Sequence, residues 1–158
     1  MLSHLDEDGR AKMVDVGNKP ATRRRAVAEG FLLTQPATAD AIFGGQLPKG
    51  SGTEIQAVAR TAGILAAKRC GELIPMCHPL PLSSVEIHIA RSKQGVQIEA
   101  AAAVVGPTGV EMEALAAVTT TALTLYDMAK AIDKTMRIDG VRLLEKSGGQ
   151  SGDWHADG

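Results

Sequence analysis

The chain is short of aromatic residues. One Trp, one Tyr and two Phe make up 3% of its composition. That scarcity argues against a surface that stacks on unpaired bases. It has no strong charge of either sign. The net charge of −1 supplies no field to draw the chain to nucleic acid or to an anionic membrane. It shows no secretory leader pattern and no long uncharged apolar run, so a soluble, cytoplasmic protein is expected. Its two cysteines, Cys70 and Cys77, form no CxxC pair and no disulfide framework, which suits a reducing compartment. Alanine and glycine are plentiful instead, within a hydrophobic content of 44%. Closely packed elements are therefore expected. The 158 residues read as a single domain, 1–158, able to bury roughly two thirds of its unfolded surface.

Residues 1–22 are polar and read as an extended or mobile N-terminal arm. Residues 25–33 follow as a strand, with Val27, Phe31 and Leu33 on one parity. A short helix is expected over 37–43, closed by Gly44 and Gly45. The Gly-rich loop that carries Lys49 leads into Thr53-x-x-Gln56, a capping-box pattern with Thr53 as N-cap. The helix beyond it stripes Ile55, Val58, Ala62 and Leu65 on one face, and Gly71 ends it. Three prolines within LIPMCHPLPL then force an extended path. Val85, Ile87 and Ile89 alternate with polar residues, as do Val96, Ile98, Ala100, Ala102 and Val104 with their neighbours. RSKQG joins the two strands as a hairpin. A long helix is expected over 111–134 and a last strand over 138–144. Residues 147–158 read as a flexible Gly-rich tail. The order is βαββαβ, an α+β ferredoxin-like pattern: an antiparallel sheet with helices on one face.

The long helix is where chemistry is expected. Asp127 and Lys130 interrupt its apolar pattern three residues apart, so they share one face. The bland reading is an exposed ion pair. Against it, Leu123, Tyr126 and Met128 are expected to crowd the pair, a setting in which a lysine becomes a usable acid or base. At the other end, Thr108-x-x-Glu111 reads as a capping box, which accounts for Glu111 and leaves Glu113 the better functional candidate. Glu113 and Asp127 lie roughly 21 Å apart along an ideal helix. Either the substrate is long or two subunits join to form the site. Lys49 sits in a Gly-rich loop near a helix N-terminus, where anions are favoured, but without P-loop spacing. Lys146 stands beside Gly148 and Gly149, in a segment that reads equally as a solvated tail. Arg23, Arg24 and Arg25 read first as a solvated edge. For Cys77 and His78 the sequence supplies no further metal ligands at suitable spacing. His78 is better read as an anion ligand or proton donor, and no metal site is expected.

Several segments together carry a resemblance: MVDV at 13–16, AGILAAKR at 62–69, LIPMCHPL at 73–80, TGVEMEAL at 108–115, LTLYDMAKA at 123–131 and LLEKSGGQSG at 143–152. The chain resembles the molybdenum cofactor biosynthesis protein C family, the cyclic pyranopterin monophosphate synthases, over nearly its whole length. The resemblance implies a ferredoxin-like fold, a hexamer built as a trimer of dimers, and active sites at subunit interfaces. It implies a lyase that turns 3',8-cyclo-7,8-dihydro-GTP into cyclic pyranopterin monophosphate and pyrophosphate. No cofactor is required, and Mg²⁺ enters, if at all, with the triphosphate. The family's catalytic Asp and Lys fall on Asp127 and Lys130, with Lys49 as a further lysine of the site. Its substrate-binding positions fall on Met76, Cys77, His78, Met112, Glu113, Lys146 and Arg24. One departure stands out. Family members run Lys-Gly-Asp straight into the second helix, whereas Ser51, Gly52, Thr53 and Glu54 follow Lys49-Gly50 here, an insertion of three residues. Lys49 is expected to stay in the site on a bulged loop. The alternative is a ferredoxin-like phosphometabolite-binding module with weakened chemistry.

Overall fold

The computed structural model describes residues 3–158. Four main strands carry the sheet: β1 (Thr22–Leu33), β4 (Ser84–Ser92), β5 (Gly95–Gly106) and β6 (Arg137–Ser147). Between β1 and β4 lie α1 (Pro36–Ile42), the short strands β2 (Gln46–Leu47) and β3 (Gly50–Ser51), α2 (Gly52–Lys68) and α3 (Cys70–Leu73). The long helix α4 (Glu111–Ala129) joins β5 to β6, and β7 (Trp154–His155) follows. The sheet runs β4-β5-β1-β6-β7, and every pairing in it is antiparallel. Taking the main elements alone, β1, α2, β4, β5, α4 and β6 give the expected βαββαβ order.

The core is built from small side chains. On β5, Val96, Ile98, Ala100, Ala102 and Val104 are buried as their alternation requires. On β1 the face in the main core is Ala26, Ala28 and Leu32; of the expected Val27, Phe31 and Leu33, Val27 is buried outside that cluster and the other two are half-buried. Bulk pointed to the wrong face, because alanine and glycine carry the core side of this strand. At Gly30, on the same parity, an added Cβ would stand 2.6 Å from Val118 Cγ1 of α4. Only a missing side chain lets the helix lie this close. The two helices also press together where a Cβ at Gly63 of α2 would run into Thr121 Oγ1 of α4.

Several helix boundaries differ from expectation; α2 closes at Lys68 with Arg69 as C-cap, and Gly71 lies within α3. The N-cap of α2 is Ser51, whose hydroxyl accepts from the Glu54 N–H while the Glu54 carboxylate accepts from the Ser51 N–H. Ser51-x-x-Glu54 and Thr53-x-x-Gln56 both fit the capping-box pattern, and the carboxylate is the stronger acceptor. At α4 the N-cap is Val110, with no side-chain cap, so Thr108 does not fill that role. The same helix ends at Ala129 with Lys130 as C-cap, short of residue 134. Asp133 accounts for that stop. It is buried, and its two oxygens accept from the Gln35 N–H, the Thr38 hydroxyl, the Thr135 N–H and the Thr135 hydroxyl at 2.7–2.9 Å. The chain after Lys130 is thereby turned and tied to the start of α1.

Within residues 147–158, Trp154 pairs with Lys146 and His155 with Glu145 on β6. Among the described residues no helix is long and apolar enough to cross a membrane.

Candidate functional site

The turn between β2 and β3 presents Lys49 to the far end of α4. Its Nζ lies 3.2 Å from Asp127 Oδ2 and 3.3 Å from the Asp127 carbonyl oxygen. Lys130 Nζ reaches Asp127 Oδ1 at 2.9 Å. One carboxylate thus holds two ammonium groups, and the insertion after Lys49 is accommodated by the small β2–β3 hairpin. Hydrogen bonds from Lys130 and then Lys49 hold the Asp127 carboxyl below the ordinary carboxylate range. The expected crowding is only partial: Leu123 is 59% exposed, Tyr126 and Met128 are half-buried against the core, and all three charged side chains are about half exposed. Ion pairs so exposed add little to stability, so folding does not explain why two lysines converge on one acid.

The other end of α4 borders a cavity of about 320 Å³. Met112 and Glu113 line it from the helix, Met76, Cys77 and His78 from the proline-fixed segment, and Val14 and Val16 from the N-terminal arm. His78 Nε2 lies 2.6 Å from the Val14 carbonyl oxygen. A carbonyl only accepts, so Nε2 carries the proton. Cys77 turns the other way, with Sγ 3.6 Å from Glu113 Oε2 and 3.9 Å from Cys70 Sγ. Burial raises the Glu113 carboxyl above its ordinary value. Burial and then the Glu113 charge raise the Cys77 thiol and push Cys70 up to about 12.

A narrow cleft opens beside this cavity and shares Glu111 with it. Arg24 and Lys146 line it, with Gly148 beneath. Lys146 Nζ stands 3.3 Å from Glu111 Oε1, so Glu111 pairs across the cleft, where a capping role was expected. Arg24 donates through Nε to the Gly106 carbonyl at 3.0 Å, which leaves its terminal nitrogens pointing past Gly149.

The expected residues therefore fall into two groups. Lys49, Asp127 and Lys130 stand at the C-terminal end of α4. Arg24, Met76, Cys77, His78, Met112, Glu113 and Lys146 gather at its N-terminal end. Against the full sequence, a model of the MoaC family matches residues 13–149. The chain belongs to the MoaC family. Its relatives include the cyclic pyranopterin monophosphate synthase of Chloroflexus aggregans, 56% identical over 99% of this chain and 94% of that protein. That of Corynebacterium efficiens is 55% identical over 97% of each, and that of Thermomicrobium roseum 52% identical over 99% of this chain and 93% of its own.

Two residues in contact with these groups were missed in the sequence as neighbours of the site. Glu111 was set aside as a cap, though Lys146 lies across a single strand from it. Cys70 was read only as one of two unpaired cysteines, because its seven-residue offset from Cys77 fits no ligand or disulfide spacing. A Cβ at Gly71 would stand 2.8 Å from Pro79 Cα, and that close approach folds the proline segment back over α3.

Proposed function

We propose that this chain is a cyclic pyranopterin monophosphate synthase, a lyase that converts 3',8-cyclo-7,8-dihydro-GTP to cyclic pyranopterin monophosphate with release of pyrophosphate. The observation that carries the reading is the convergence of Lys49 and Lys130 on Asp127 in a chain so close to relatives of that name. Closing a cyclic monophosphate from a triphosphate joins an internal hydroxyl oxygen to the α-phosphorus and breaks its bond to the pyrophosphate. A proton must leave the hydroxyl, and the departing charge must be met. Lys130 moves protons in ring opening and closure. Asp127 holds both lysines in place. Lys49, His78, Lys146 and Arg24 meet the triphosphate and the leaving pyrophosphate, while Met76, Cys77, Met112 and Glu113 shape the pocket for the ring system.

The separation of the two groups completes the reading. From Glu111 to Asp127 an ideal helix rises about 24 Å, more than one small molecule spans. The active site forms between subunits, one chain giving its triad and a neighbour its cavity, within a hexamer of the kind the family resemblance implies. No resident cofactor is part of this proposal, and Mg²⁺ arrives only as a companion of the triphosphate. The test is turnover: the purified chain, given the cyclised dihydro-GTP, is expected to release pyrophosphate, and Lys130→Ala and Asp127→Ala to lose that release. Tight binding without turnover in the wild type would instead identify a binding module.

A further inference from the structure

Behind the cavity wall, Cys77 and Glu113 meet a third group, Cys70, for which the proposed chemistry has no use. Cys70 enters from α3, Cys77 from the proline segment and Glu113 from α4. Their ligand atoms all lie within 4.8 Å of one another. The two sulfurs are 3.9 Å apart, and Cys77 Sγ is 3.6 Å from Glu113 Oε2. With Zn–S bonds of about 2.3 Å and Zn–O bonds of about 2.1 Å, a tetrahedral centre sets two sulfurs roughly 3.8 Å apart and a sulfur and an oxygen roughly 3.6 Å apart. Two edges of such a tetrahedron are already present.

A second observation points the same way. Glu113 is 2% exposed, and its Oε1 has no hydrogen-bond partner. A buried carboxylate with an unmet oxygen is unfavourable unless a cation or donor reaches it. His78 is not part of the set, since the ligand atoms that lie within 4.8 Å of one another are those of Cys70, Cys77 and Glu113 alone among the described residues. Two thiolates and one carboxylate suit a borderline-soft divalent ion rather than Mg²⁺ or Ca²⁺. No metal site was expected from the sequence, because the ligands come from three separate elements.

We propose that Cys70, Cys77 and Glu113 form a site for one divalent cation of the zinc class, with the fourth position open to the cavity. Binding forms two metal–sulfur bonds and one metal–oxygen bond, releases two thiol protons to solvent and changes no oxidation state.

The test uses the full chain, kept reduced with a phosphine, stripped by a chelator and titrated with Co²⁺. The expected result is one equivalent bound per chain, with a thiolate-to-cobalt charge-transfer band and the intense visible bands of a tetrahedral centre, both bleached by Zn²⁺. Cys70→Ala is expected to weaken Co²⁺ binding by at least roughly tenfold, the smallest loss seen even for groups that only support a ligand. Glu113→Gln should weaken binding while keeping the charge-transfer band. Circular dichroism confirms that each variant is folded, and Cys77→Ser replaces Cys70→Ala if that variant is not. A wild-type titration without a charge-transfer band overturns the proposal, as does unchanged affinity in the folded cysteine variant. The readout involves no turnover, so its failure and a failure to release pyrophosphate are separate results.

Discussion

Asp127 and Asp133 lie six residues apart and do opposite work. Asp127 is exposed and holds two lysines, so its environment bears on charge placement rather than on folding. Lys49→Met is therefore expected to cut pyrophosphate release by roughly ten- to a hundredfold, the range of a lost charge contact to a phosphate. Its unfolding free energy in urea should stay within about 0.5 kcal/mol of wild type. Asp133 is buried. Burial raises its carboxyl pKa, but the hydrogen bonds from Thr135, Gln35 and Thr38 outweigh that and carry it down to about 2. A carboxyl lowered on folding stabilises the folded state above its unfolded pKa and loses that effect as pH falls through the folded one. Asp133 should thus contribute on the order of 2 kcal/mol at neutral pH, lost between about pH 4 and pH 2. Asp133→Asn turns an amide donor toward groups that are themselves donors. Acid titration of stability should show that the variant is weaker at pH 7 and lacks this step.

At the scale of elements, small residues decide how closely the helices approach. Gly63→Ala places a methyl against Thr121 Oγ1 and Ile87 Cδ1. It should destabilise the chain by about 1–3 kcal/mol in denaturant titration, although alanine is the better helix former. The same smallness explains what was legible in the sequence. β4 and β5 were readable because Val85, Ile87, Val96 and Ile98 are bulky enough to announce their period. The face of β1 was misread because Ala26, Ala28 and Gly30 announce nothing. Helix ends were ambiguous for a different reason. Overlapping capping patterns at Ser51 and Thr53 fit the same rule, and the early stop of α4 depends on Asp133 meeting Gln35 and Thr38, partners far away in the chain. Motif residues with unusual chemistry for their surroundings, such as Asp127, Lys130 and Glu113, were legible. Partners made by folding, such as Glu111 with Lys146 and Cys70 with Cys77, were not.

At the scale of the molecule, α4 separates the triad from the cavity. A site completed by two subunits has a distinct signature. Lys130→Ala chains and His78→Ala chains, each inactive alone, should regain part of the wild-type pyrophosphate release after mixed refolding, because some interfaces then combine an intact triad with an intact cavity. No recovery in mixed assemblies, with both chains present in one complex by mass, would place the whole reaction within one subunit.

The scarcity of aromatic residues has an optical consequence. Trp154 is the only indole in the chain, it is 43% exposed, and it sits opposite Lys146 on the edge of the sheet. All tryptophan emission therefore originates at one point, next to a lysine of the proposed phosphate-binding cleft. The protein carries its own single-site fluorophore, and a colour change in that emission is a local signal from β7 and its neighbour rather than an average over the fold.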